Sequence, residues 1–207
     1  MLGRRNQRNI FKTNWQMPQL ELLKKTVKIL TENNIPYMLT GSIVSSLQGI
    51  PRSTHDIDII ISITKIGIPP IIKAFFKENF YINEKSIEEA INNKSQFNIL
   101  DTNEGDEIDF WILTDSEFDK IRFSRKQKVM LFNFETFVST AEDTILQKLF
   151  WSKLSGGSKK QYNDALNVFE IQFGKIDIEY MFYWSKKLGI ESLFNKIKSE
   201  AETLLVG

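Results

Sequence analysis

Two aspartates, Asp56 and Asp58, stand two residues apart in the run H-D-I-D-I-I-I-S over His55–Ser62. Alternate residues of a strand share a face, so both carboxylates project to one side while Ile57, Ile59 and Ile61 point into a core. Like charges side by side are costly unless a cation sits between them. Hard cations such as Mg²⁺ are held by one or two carboxylates together with substrate phosphates. Asp109 lies in a second apolar run, I-D-F-W-I-L over Ile108–Leu113. If that strand pairs beside the first, Asp109 completes a three-carboxylate cluster. Upstream, a short strand from Tyr37 ends at Gly41, and Ser42–Gln48 reads as a short helix closed by Gly49. The free N–H groups and positive dipole end of such a helix suit an anion. Gly41 lets the backbone approach a phosphate closely, and the Ser42 hydroxyl can donate to it. Clustered acids beside a phosphate-binding turn are the parts of two-metal phosphoryl chemistry.

The elements that must position these residues follow from the patterning. Leu20, Leu23, Val27 and Leu30 fall at helical spacing between Pro18 and Asn34. Pro69–Phe80 predicts a helix covering the sheet. Gln96–Leu100 and Glu107–Leu113 predict strands joined by a turn at Asn103–Gly105, and Lys128–Phe132 predicts a further strand. From Ser139 the period changes. Ser139 and Glu142 match an S-x-x-E capping box, with a helix to about Leu154. A Ser155–Ser158 loop follows, then helices over Lys159–Phe173, Asp177–Leu188 and Glu191–Leu204. The expectation is an α+β fold: a mixed sheet flanked by helices over residues 1–138, then a helical region over 139–207.

Composition narrows the function classes. The 207 residues are 42% hydrophobic and 26% charged, the balance of a globular chain. A net charge of +1 argues against a dedicated nucleic-acid-binding domain. With no Cys and one His, there is no disulfide framework, thiolate zinc site, cysteine nucleophile or multi-His metal site. Apolar runs fall short of the ~20 residues of a membrane span, and Arg4, Arg5 and Arg8 precede no apolar segment of a signal peptide. A cytoplasmic protein with a solvated basic N-terminal tail is expected.

G-S-x(13)-D-x-D from Gly41, with G-I-P-R-S-T before the acids and the later Asp109 strand, resembles the nucleotidyltransferase superfamily that includes DNA polymerase β. The G-x-P-R-x-T-x-D-I-D version is most similar to the small prokaryotic branch of AbiEii-type toxin nucleotidyltransferases. Glu142–Leu149 resembles that family's E-D-x-x-x-x-K-L helix, and the likeness continues to Asp164. Val44-Ser45-Ser46 stands where the CCA-adding and poly(A) branch has an Arg-Asp pair, which argues against that branch. The resemblance implies a nucleotidyltransferase-like mixed sheet and a set of roles. Gly41 and Ser42 would hold the β- and γ-phosphates of a nucleoside triphosphate. Asp56 and Asp58 would bind two Mg²⁺ ions, with Mn²⁺ as a substitute. Asp109 would bind one ion and help activate the attacking hydroxyl. Arg52 or Lys148 would neutralise triphosphate charge. The reaction implied is transfer of a nucleoside monophosphate to a hydroxyl of a tRNA, a protein or a small molecule such as an antibiotic, with release of pyrophosphate. A cognate antitoxin or toxin is the implied protein partner. The alternative is a catalytically weak nucleotide-binding or antitoxin-type module that acts by binding a partner.

Several residues have ordinary readings beside the functional ones. Lys148 reads as a solvated helix lysine, Asp164 as a cap or an ion-pair partner for a nearby lysine, and His55 as a strand-edge hydrogen-bonding residue. The run Lys120, Arg122, Arg125, Lys126 and Lys128 reads as a solvated helix face, or more sharply as a phosphate-backbone contact for RNA. Tyr180, Phe182, Tyr183 and Trp184 read as helix-bundle core.

Overall fold

The isoleucine run after Asp56 is the central strand of a seven-stranded mixed sheet. The computed structural model describes residues 17–52, 54, 56–103 and 105–206. His55 and the basic N-terminal tail lie outside them. Strand β2 (Ile57–Ile61) pairs antiparallel with β1 (Tyr37–Thr40) and parallel with β5 (Glu107–Ile112). Beyond β5 come β4 (Gln96–Asp101) and the short β3 (Phe80–Tyr81), both antiparallel to their neighbours. Beyond β1 come β7 (Phe134–Val138), parallel to it, and β6 (Gln127–Leu131), antiparallel to β7. A strand covered on both faces reads as a continuous apolar run. Ile57, Ile59 and Ile61 enter the main core, while Ile60 packs with Met38 and Phe123 on the opposite face.

Nine α-helices flank this sheet among the described residues. The main core gathers apolar residues of α1 (Met17–Glu32), α2 (Gly41–Gln48), α3 (Ile68–Phe76) and α4 (Glu84–Asn93) around Phe75, Phe97 and Phe110. A second core joins α5 (Glu117–Ser124), α6 (Ala141–Leu154), α7 (Lys159–Gln172), α8 (Ile178–Lys187) and α9 (Glu191–Val206) around Leu149, Phe169, Trp184 and Phe194. The expected α+β class is the observed one. No described helix is long and apolar enough to cross a membrane.

The differences from expectation are local and have physical causes. The β2 strand starts at Ile57, so Asp56 stands just ahead of it. Helix α3 stops at Phe76, because Asn79 turns with φ 63° and Phe80 joins the sheet edge. Helix α4 was not anticipated: only Ile87 and Ala90 of its residues are buried, too thin a stripe to read, and Asn83 caps it by accepting from the Ser86 N–H. Strand β7 was missed because only Phe132 and Asn133 separate it from β6. Both have positive φ, 44° and 70°, the tight turn that joins hairpin strands without a Gly or Pro signal. The cap of α6 is Thr140, which accepts from the Asp143 N–H, and not Ser139. The Ser139 N–H is already bound to the Leu39 carbonyl of β1, so Ser139 still belongs to the strand side.

Candidate active site

Sheet register brings the predicted acids together. Asp58 is the partner of Thr40 in β1 and of Asp109 in β5. Asp58 therefore sits between the Gly41–Ser42 turn and the second carboxylate. Asp56, Asp58, Asp109, Gly41, Ser42 and Lys148 line one cleft of about 810 Å³. The Trp111 indole donates to Asp58 Oδ1 at 3.2 Å, and the Ser42 backbone N–H also faces this carboxylate. Gly41 has φ +70°, and a Cβ built on it would lie 2.0 Å from Asp58 Oδ2. Glycine is required here twice over, for the left-handed backbone and for the space that Asp58 fills. Gly41→Ala is expected to lower the melting temperature and displace Asp58. The left-handed backbone alone costs about 1–2 kcal/mol, and thermal unfolding measures the sum.

The acids lie in an environment that resists their charge. Burial pushes the Asp58 carboxyl above its usual range; the Trp111 N–H and the Lys148 charge pull the other way, and the Asp56 charge adds to the rise. Asp109 is raised for the same reasons: burial first, then the charges of Asp58, Glu107 and Asp56. Partly buried carboxylates facing one another are a ready locus for a cation. Their oxygens are the donor type that Mg²⁺ and Mn²⁺ prefer. The expected cluster is looser than a closed cage, since among the described residues no three His, Cys, Asp or Glu side chains close on one metal position. Asp56 is exposed and precedes the strand, which opens the arrangement on that side. The residues fit ions whose remaining ligands come from substrate phosphates, the usual manner of Mg²⁺.

Arg52 and Lys148 meet behind the turn. Both bind Asp164: Arg52 Nε at 2.9 Å from Oδ1 and an Arg52 terminal nitrogen at 2.8 Å from Oδ2, with Lys148 Nζ at 2.9 Å from Oδ2. The same Arg52 nitrogen donates to Ser42 Oγ at 2.9 Å. The ordinary reading of Lys148 as a solvated lysine is corrected here, because its side chain is only 7% exposed. Of the two ordinary readings of Asp164, the ion pair is the one observed: it lies six residues past the Ser158 cap and joins α7 to both cations. Burial lowers the Lys148 ammonium against the pull of Asp164. Asp164 itself ends below the usual carboxylate range, because its hydrogen bonds and charge pairing with Arg52 and Lys148 outweigh burial.

Part of the cleft lining is apolar. Trp111, Phe150, Trp151, Leu154, Trp184 and Leu188 line the same cleft. Trp151 and Leu154 are exposed there, and the Trp111 and Trp151 rings lie 5.8 Å apart. Sequence reasoning missed this wall; the signal was the alternation that puts Trp111 on the face of Asp109. The basic run, read as a solvated helix face or as an RNA contact, is largely paired with local carboxylates. Lys120 pairs with Asp115, Arg122 with Asp119, Arg125 with Glu142 and Asp143, and Lys128 with Glu135. Arg125 also stacks 3.9 Å from the Tyr180 ring centre. Of the expected bundle-core aromatics, Trp184 is buried and Tyr180 partly so, while Phe182 and Tyr183 are exposed.

No protein-family model and no curated protein matches the sequence. Solved structures do match. An antigenic nucleotidyltransferase-like protein from Paracoccidioides brasiliensis is similar with a TM-score of 0.62 and 14% identity, over 92% of this chain and 92% of that one. ANT(2")-Ia in complex with adenylyl-2"-tobramycin gives a TM-score of 0.54 at 12% identity, over 89% of this chain and 99% of that one. The lincosamide antibiotic adenylyltransferase LnuA, lincomycin-bound, gives 0.51 at 14% identity, over 77% and 99%. At these identities the likeness establishes architecture, and that architecture is the nucleotidyltransferase-like α+β fold.

Proposed function

We propose that this chain transfers a nucleoside monophosphate from a nucleoside triphosphate to the hydroxyl of a small molecule and releases pyrophosphate. The observation that carries this reading is the placement of Asp58, wedged against Gly41 and in register with Asp109, at the mouth of one cleft. The Ser42 hydroxyl, the free N–H groups opening α2 and Arg52 beside them bind the phosphate chain. Asp56, Asp58 and Asp109 would hold the Mg²⁺ ions, or Mn²⁺ in their place, which neutralise the entering and leaving oxygens. Trp111 fixes the orientation of Asp58. In the transfer, the acceptor oxygen bonds to the α-phosphorus and the bond from that phosphorus to the bridging oxygen breaks. Pyrophosphate leaves and the hydroxyl proton passes to Asp109, the carboxylate in register with Asp58.

The apolar wall and the internally paired basic run support a compact acceptor over tRNA. The cleft has an apolar face for a ring system and an acid beside it for a hydroxyl. ANT(2")-Ia and LnuA are solved with adenylyl-2"-tobramycin and lincomycin, so tobramycin and lincomycin are the first acceptors to test. Trp151 is exposed, so Trp151→Ala is expected to keep the fold while raising acceptor KM about tenfold or more, the value of burying one such side chain. An unchanged KM would contradict an acceptor seated on this wall. The G-I-P-R-S-T spacing supports the AbiEii-type branch. Co-purification of the tagged chain with a neighbouring gene product tests the toxin or antitoxin partner. Release of pyrophosphate on adding triphosphate, Mg²⁺ and an acceptor tests the reaction. Nucleotide binding without turnover on tobramycin, lincomycin, tRNA or protein would overturn it in favour of a binding module.

A further inference from the structure

Five cationic side chains line the cleft: Lys94, Arg122, Lys148, Lys160 and Lys187. Four are engaged with carboxylates, Lys94 with Asp115, Arg122 with Asp119, Lys148 with Asp164 and Lys187 with Glu117. Lys160 is exposed and, among the described residues, makes no ion pair. It stands in the first turn of α7, four residues before Asp164, so the two share a helix face. Asp164 is the carboxylate that ties α7 to Arg52, and Arg52 holds Ser42 Oγ. Along the axis of α7, Lys160 thus lies about 6 Å from Asp164, four residues of helical rise. Beside it Gln161 lines the same cleft, and its amide oxygen is shielded without a hydrogen-bond partner. This end of the cleft carries unspent charge and unspent hydrogen-bonding capacity, and the positive end of the α7 dipole adds to the field there.

A phosphate chain anchored at Gly41–Ser42 meets cations already committed to Asp164. Its outermost phosphate needs one that is not. We infer that Lys160 grips the terminal phosphate, so that α7 measures the length of the phosphate chain and the site selects nucleoside triphosphates over diphosphates. This rests on the nucleotidyl-transfer reading, and it gives the helical region a direct part in choosing the nucleotide.

Three of the four tryptophans, Trp111, Trp151 and Trp184, line the cleft, so tryptophan fluorescence reports its filling. The experiment titrates wild type, Lys160→Ala and Lys160→Arg with Mg²⁺-tripolyphosphate and Mg²⁺-pyrophosphate. Wild type is expected to favour tripolyphosphate. Lys160→Ala should lose about tenfold in tripolyphosphate affinity, one charge-assisted contact, with pyrophosphate affinity and melting temperature unchanged. Lys160→Arg should retain the preference. Equal loss for both probes, or the wild-type ratio in Lys160→Ala, overturns the inference while leaving the phosphate site in place. Failure of wild type to bind either probe overturns the underlying reading, and this inference with it.

Discussion

Asp58→Asn is expected to abolish transfer and to raise the melting temperature. The activity loss should be about 10³-fold or more in kcat, as for a group that organises charge at the reacting centre. The stability gain follows from burial. Asparagine keeps the shape and an oxygen that can accept from the Trp111 N–H, and it removes a charge that the site disfavours. Each kcal/mol relieved raises the melting temperature of a chain this size by about 2–4 °C. The pH dependence has a definite sign. A carboxyl raised in the folded state holds its proton more tightly there than in the unfolded chain. Wild type therefore gains stability as pH falls from neutral through the folded value toward about 3.9, the unfolded one. Asp58→Asn lacks that contribution, so the melting difference should be largest at neutral pH and close near pH 4. Mg²⁺ with a triphosphate should stabilise wild type only. A variant that melts below wild type at neutral pH, or that still turns over, would contradict this account.

Asp164→Ala is expected to cause the largest loss of stability. Arg52 and Lys148 converge on this carboxylate, which is 6% exposed, and Lys148 is nearly as deep. Removing the shared partner leaves a buried ammonium uncompensated and costs about 3–5 kcal/mol, or roughly 6–20 °C in melting temperature. The sign here is opposite to that of Asp58. Asp164 is held below its ordinary value by its two cations, so its stabilisation is complete above about pH 3.9 and is lost as pH falls through the folded value. Wild type should gain stability from neutral pH toward about pH 4 and lose it below, while Asp164→Asn should lack the acid loss. Nucleotide binding should weaken in both variants, because Arg52 loses the anchor that holds it on Ser42. Thermal unfolding across pH, with nucleotide binding at neutral pH, measures both effects.

The acids and the phosphate turn were legible because their signal is local. Alternation in H-D-I-D-I-I-I-S puts Asp56 and Asp58 on one face, and Asp109 interrupts a second apolar run whose register then matches. The ion pairs of Asp164 were not legible. Helical period shows which residues share a face, but Arg52 lies 112 residues from Asp164, and nothing near either residue encodes their meeting. Lys148 looked like a surface lysine because the buried residues of α6 form no single apolar stripe, so nothing local marks which of Lys148 and Lys153 points inward. The bond from the Trp111 indole to Asp58 was not legible either, because it depends on the parallel pairing of β2 and β5. The ion pairs of the basic run were not legible, because its carboxylate partners are scattered over Asp115, Asp119, Glu135, Glu142 and Asp143.

Calorimetric titration of wild type and Asp58→Asn with each of the four common nucleoside triphosphates, in Mg²⁺ and in EDTA, tests metal-dependent nucleotide use most directly. At least one triphosphate should bind wild type in Mg²⁺, with that binding lost in EDTA and in Asp58→Asn. Binding of none of the four in Mg²⁺, or equal binding by the variant, would contradict the assignment of this cleft to nucleotidyl transfer.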